Sequence, residues 1–263
     1  NEILRAHGRG VNVEDFEMAD ILANQVHWTF VDAFRIAGVD EANVTNNEIL
    51  FSGGHGFSII DTSTITLQGN ALKEAIGHGI FLHDGSHPVD WIADISGNRI
   101  TQAQTGIRIE LAGDLFGAVV GNEVSESREC GMAIQVGSML PQLDINSNPI
   151  PSVIEANQFH YNALGGLALE VTGAGDSIVQ IRNNEFLLNN ELFGVQRREF
   201  VASLTAGAGP LTVELDDNQS YNAVPLGQFN YDFLNASGSA LLYQITEPNH
   251  GTVGSSDGSV PAP

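Results

Sequence analysis

Asn1, Asn24, Asn47 and Asn70 follow one another at intervals of 23 residues. A fixed period of this order is the signature of a stacked repeat, so the asparagines constrain the fold more than any other feature of the chain. Each opens a unit written Asn-x-apolar, then Gly nine residues after the Asn, then apolar-x-apolar. From Asn47 the unit reads Ile49, Gly56, Phe57, Ile59; from Asn70 it reads Leu72, Gly79, Ile80, Leu82. The frame recurs from Asn122 (Val124, Gly131, Met132, Ile134) and from Asn157 (Phe159, Gly166, Leu167, Leu169). Asn24 has Ala33 in the Gly slot, and Asn98 reaches Gly106 one residue early. Two further units are degenerate: Asn184 is followed by Gly194 and Val195, and Asn218 by Gly227 with polar Ser220, Gln228 and Asn230 in apolar slots.

The apolar residues alternate with polar ones over short runs, the period of a half-buried strand. A second run precedes many of the asparagines, as in Ile65 and Leu67 before Asn70 or Val179 and Ile181 before Asn184. Three short strand-like pieces per unit, joined by Gly, Asn, Asp and Ser, cannot close a core around themselves and must stack. Stacked coils place equivalent strands about 4.8 Å apart in parallel. Val11, Phe34, Phe57, Ile80, Ile107, Met132, Leu167 and Val195 are then expected to form one inward column. A buried Asn in the turn can bond to its counterparts above and below, which gives Asn1, Asn24, Asn47, Asn70, Asn98, Asn122, Asn157, Asn184 and Asn218 their common role as a ladder.

The segments Asn-Glu-Ile, Gly-Asn-Arg-Ile, Gly-Asn-Glu-Val and Asn-Asn-Glu-Phe, followed by Gly-Ile or Gly-Leu strands, resemble the right-handed parallel β-helices of the pectate-lyase-like superfamily. The resemblance implies an all-β solenoid of about nine coils over residues 1–235, with residues 236–263 as a C-terminal strand and a Gly/Ser/Pro tail. Pro248–Val253 and Asp257–Ser259 also resemble, over a short stretch, cadherin-like repeats of bacterial surface proteins. The scaffold carries lyases, hydrolases, epimerases, adhesins and inert rods, so function has to be argued from side chains.

A formal charge of −22, with Lys73 as the single lysine, argues against nucleic-acid and anionic-membrane partners. No apolar run of roughly 18 residues reads as a membrane span. Asn1 already occupies the ladder slot, which raises the expectation that a cap is removed or supplied by another chain. An extracellular rod follows, part of a surface adhesin or a subunit stacking end to end. The rival readings are a polysaccharide lyase or C5-epimerase acting on an acidic polysaccharide, and a non-catalytic glycan-binding module.

Chemistry-bearing residues gather in a few places. His55, His78, His83 and His87 lie in one region, and the period stacks His55 on His78 and Asp61 on Asp84. Asp61 and Asp84 with His83 are candidate ligands of a divalent cation, calcium by their oxygens or zinc by the imidazole; the plainer reading is a solvated turn. No other cofactor is implied. Arg35 and Arg108 project from one face three coils apart, and Arg108, Glu110 and Glu170 are the residues an enzymatic reading would use. Cys130, just before Gly131, reads as a small residue in a tight slot. Asn43, Asn218 and Asn235 open Asn-x-Ser/Thr triplets. The insert at 137–151, apolar and Pro-containing, is expected to cover a core edge or form a contact patch.

Overall fold

The computed structural model describes residues 1–85, 90–139, 141–143, 149–189, 199–221, 230–245, 249, 251–255 and 258–260. Three parallel sheets run the length of a solenoid. The first contains nine short strands from Glu2–Ile3 to Gln219–Ser220, the second ten from Val11–Glu14 to Val253–Gly254, and the third nine from Met18–Leu22 to Leu241–Ile245. Each coil contributes one strand to each sheet, as Glu48–Ile49, Phe57–Ile60 and Thr64–Gln68 do. At about 4.8 Å per coil the ten-stranded sheet is about 43 Å long.

The turn into the ladder is where the sequence pattern becomes geometry. The residue before each internal ladder Asn is left-handed: Ala23, Asn46, Gly69, Gly97, Gly121, Ala156, Asn183 and Asp217 have φ between 44° and 65°. This bends the chain and turns the Asn side chain inward. Asn98 illustrates the result. Its Oδ1 accepts from the backbone N–H and the Nδ2 of Asn70 at 2.9 and 3.0 Å, while its own Nδ2 donates to Asn122 Oδ1 at 2.9 Å and to the Leu67 carbonyl at 2.8 Å. Both amide hydrogens and both lone pairs are used, so burial costs the amide none of its hydrogen bonds. The ladder continues beyond Asn218: Asn249 Oδ1 accepts from Asn218 N–H and Nδ2 at 2.8 and 2.9 Å.

A second polar column lies five residues on. Thr29 and Ser52 are bonded hydroxyl to hydroxyl at 3.4 Å, and farther along Ser127 N–H donates to Asn162 Oδ1 and Asn162 to Asn189 Oδ1. The Gly slot has its own cause. A Cβ on Gly56, Gly79 or Gly106 would lie 2.5–2.6 Å from the carbonyl oxygen of the equivalent residue in the next coil.

The core is the inward column read from the sequence, with one correction. The register runs Val11, Phe34, Phe57, Ile80, Ile107, Met132, Leu167, then Phe200 and Tyr231. Gly194 and Val195 lie outside the described residues, and Phe200 fills the slot expected for Val195. A longer connection in this coil displaced the frame by several residues. Asn230 likewise precedes the strand, and Tyr231 and Phe233 supply the apolar positions of the unit opened by Asn218. Phe34 and Phe57 stack at 5.0 Å between ring centroids, so the column packs ring on ring as well as strand on strand.

The frame also extends past residue 235. Leu241–Ile245 pairs with Leu211–Asp216, and Val253–Gly254 pairs with Tyr231–Asn235, both in parallel. The segment compared with cadherin-like repeats thus contributes Asn249 and Val253 to the solenoid; Pro248, His250 and Asp257 lie outside the described residues. In the insert, Gln142–Leu143 pairs antiparallel with Pro149–Ile150. Met139 is buried, whereas Ile150 is exposed and walls a groove with Ile92, Asp94 and Val153 on the third sheet.

Candidate functional site

The outer face of the ten-stranded sheet holds the densest grouping of chemistry-bearing side chains. It starts with the residue before the Gly slot. Arg9, Asp32, His55, His78, Thr105 and Cys130 occupy this position in consecutive coils. His55 N–H donates to Asp32 Oδ1 at 2.9 Å, and His78 N–H donates to His55 Nδ1 at 3.0 Å. His55 Nδ1 is therefore an acceptor, and the neutral ring carries its proton on Nε2. The His55 and His78 rings stack at 5.2 Å with 17° between their planes.

Phe81, outward on the next strand, completes the cluster. Its ring centroid is 4.8 Å from His55, 5.0 Å from His78 and 4.3 Å from His83. Alternation explains the arrangement, because Ile80 and Leu82 point into the core and Phe81 and His83 must point out. Burial lowers the His55 pKa, with His83 adding to the effect and Asp32 opposing it. Burial likewise brings His78 down to about 4, helped by His55 and Arg108 against the pull of Glu129 and Glu110. Both rings are neutral at neutral pH. His78 Nδ1 is buried with no hydrogen-bond partner among the described residues.

Charged groups border the rings. Arg108 occupies the Phe81 row one coil on and is paired with Glu110, its Nε 2.7 Å from Oε1. Glu129 accepts from Gln104 Nε2 and Thr105 Oγ1, each at 2.9 Å. Partial burial works against ionisation of Glu129, but these two bonds, aided by Arg108 and by His78 once protonated in acid, outweigh it and hold its pKa below the usual carboxylate range. Cys130 is pushed the other way, up to about 11, by burial first and then Glu129. Its thiol stays protonated, as befits a small packing residue.

The residues singled out from the sequence fall as follows. Asp61 and Asp84 do occupy the same slot in adjacent coils. Asp61 Oδ1 accepts from Gly85 N–H at 2.6 Å, while Asp84 accepts from Trp91 Nε1 at 3.0 Å and from Ala112 N–H at 2.6 Å. His83 Nδ1 lies 3.2 Å from the Asp84 carbonyl. These carboxylates are occupied in fixing turns, and no group of three or more metal-capable side chains forms among the described residues. His87 lies outside those residues. Arg35 is paired with Glu14, as Arg108 is with Glu110. Glu110 and Glu170 share a row with Gln135 between them, so their backbones are about 9.6 Å apart. Asn218 is fully buried in the ladder, Asn43 donates to Asp20 on the outer surface, and Asn235 forms a turn with Ser237.

Phe81, Asp32 and Glu129 were not singled out as site residues. An outward aromatic beside stacked histidines was a readable signal for Phe81. Glu129 carried no such signal, because the sequence alone does not show that Gln104 and Thr105 of the preceding coil donate to it.

The model of right-handed β-helix regions matches residues 1–150 and 32–218 of the chain. The chain belongs to this right-handed β-helix family. Comparison with curated proteins and with solved structures gives no match. Membership fixes the handedness of the coil and the general pectate-lyase-like architecture; it assigns no ligand to the Phe81 face.

Proposed function

We propose that this β-helix is an extracellular interaction module that binds a glycan along the outer face of its ten-stranded sheet. The observation that carries the reading is Phe81 packed against three imidazoles, with Arg108, Glu110 and Glu129 beside it. Sugars present apolar CH faces edged by hydroxyls, and a ring surface bordered by charged hydrogen-bonding groups matches both. The side chains stand on strands, so the surface is rigid before a ligand arrives. A rod bearing such a face suits a surface adhesin.

A lyase or C5-epimerase is the second reading, favoured by one observation: a neutral His78 stands beside the carboxylates Glu110 and Glu129, though its unpartnered Nδ1 is buried. Against it, Arg108 is already bound to Glu110, and the acidic surface repels a polyuronate.

Calorimetric titration with a panel of soluble oligosaccharides tests the proposal. Binding is expected, weakened about tenfold or more by Phe81→Ala with the fold intact by circular dichroism. Absence of binding by every glycan would refute it. An unsaturated product detected by ultraviolet absorbance, or an epimerised one by NMR, would establish the enzymatic reading instead. Fibres in negative-stain images would favour end-to-end stacking.

A further inference from the structure

The charges around Phe81 select among glycans. The guanidinium groups near the cluster are engaged: Arg9 lies 3.6 Å from Asp32, Arg108 is paired with Glu110, and Arg128 donates to the Ala75 carbonyl at 2.7 Å. Glu129 by contrast receives hydrogen bonds from a neutral amide and a hydroxyl, and Asp84 from an indole and backbone N–H groups. Neither forms an ion pair among the described residues. Asp61, accepting from Gly85 N–H, stands beside Asp84 at the C-terminal ends of the strands, across the sheet from Glu129, which precedes its strand. The imidazoles bring no positive charge to offset them, because His55 and His78 are held neutral. Neutral rings present negative π faces, and a ring face next to an ionised carboxylate is a recognition surface for an ammonium group. A polyanion would meet uncancelled negative charge here, within an overall charge of −22.

We propose that the ligand of this face is a cationic glycan, an oligomer of 2-amino-2-deoxy sugar with free ammonium groups, recognised by the rings of Phe81 and His78 together with Glu129. This rests on the glycan reading above and narrows it. The amine supplies the charge, and the sugar ring lies on the aromatic surface. Acetylating the amine removes the charge while keeping the ring, which makes the N-acetylated oligomer the discriminating control.

The test is titration of the whole chain with three probes of equal length: a glucosamine oligomer, its fully N-acetylated counterpart and an oligogalacturonate. Mildly acidic buffer keeps the amines protonated while His78 is still neutral. The glucosamine oligomer is expected to bind at least about tenfold more tightly than the N-acetylated one, with affinity falling as salt is added. Glu129→Gln should weaken the glucosamine oligomer about five- to tenfold and leave the N-acetylated one unchanged. Glu17→Gln, an exposed carboxylate away from the rings, should change neither.

If Glu17→Gln weakens binding as much as Glu129→Gln, the general field of an acidic protein is responsible and the proposal is overturned. If the N-acetylated or acidic oligomer binds as well as the glucosamine one, and Phe81→Ala weakens it, the charge assignment fails while the glycan site stands. If none of the three binds a protein with native circular dichroism, the cationic-glycan proposal is overturned, and the glycan reading falls with it only when the wider oligosaccharide panel also fails to bind.

Discussion

The His55–His78 stack makes the surface cluster a contributor to pH-dependent stability. In the unfolded chain His78 takes up a proton near its ordinary pKa of 6.5, whereas in the folded chain it does so only near 4. The unfolded state therefore binds more protons as pH falls between those values. Stability is full above about 6.5 and is lost progressively down to about 4. The shift would be worth about 3 kcal/mol for a fully buried ring, and screening of this partly exposed one reduces it to on the order of 1–2 kcal/mol. His55 acts with the same sign, since burial lowers its pKa too. Denaturant midpoints across this pH range should fall for the native sequence and fall less for His78→Gln. Equal slopes in the two proteins would mean that His78 is not held neutral by its surroundings.

At the scale of the coil, two kinds of glycine do different work, and a pair of alanine substitutions separates them. Gly97 has φ 61° with open space where a Cβ would go. Ala23 and Ala156 hold the equivalent position at φ 49° and 54°, so Gly97→Ala should cost only about 1 kcal/mol of backbone strain. Gly106 has no such strain, but a Cβ there would collide with Val124 and come within 2.6 Å of the Gly131 carbonyl. Gly106→Ala should cost about 2–3 kcal/mol, because one coil must be pushed off the next. Thermal melts of the two variants would order them; a larger loss from Gly97→Ala would contradict the close-approach account.

The same coil geometry decides how much could be read from the sequence. The regular units were legible down to their register, because Gly79, Ile80 and Leu82 are each forced into a slot by sterics or burial. Phe200 and Asn249 were not, since the connections before them vary in length and a period cannot be carried across them. The Phe81 cluster was half legible: the interval of 23 residues stacked His55 on His78, but only coordinates show that both rings meet Phe81 and that Glu129 is held ionised beside them.

For the molecule as a whole, the solenoid implies that stability is close to a sum over coils and their nearest-neighbour contacts. A whole coil should then be removable if the register on either side is kept. Deleting residues 47–69 excises Glu48–Ile49, Phe57–Ile60 and Thr64–Gln68 and joins Asn46 to Asn70. The left-handed residue before the ladder is retained, since Asn46 has φ 54° where Gly69 had φ 64°. Asn24 can then bond to Asn70 as it does to Asn47, at 2.9 Å from both N–H and Nδ2. In the ten-stranded sheet Phe34 would meet Ile80, an apolar pair in the slot where Phe34 and Phe57 now stack. Deleting one residue fewer leaves an extra residue between Thr45 and the ladder, which misplaces either the left-handed turn or the Asn. The coil deletion should keep the β-sheet circular dichroism spectrum and a cooperative melt, with a transition only modestly lower, whereas the deletion one residue shorter should lose several kcal/mol through unsatisfied ladder groups. Equal damage from both deletions would show that the coils are not interchangeable units, and that variable segments such as the insert at 137–151 hold the rod together more than the ladder does.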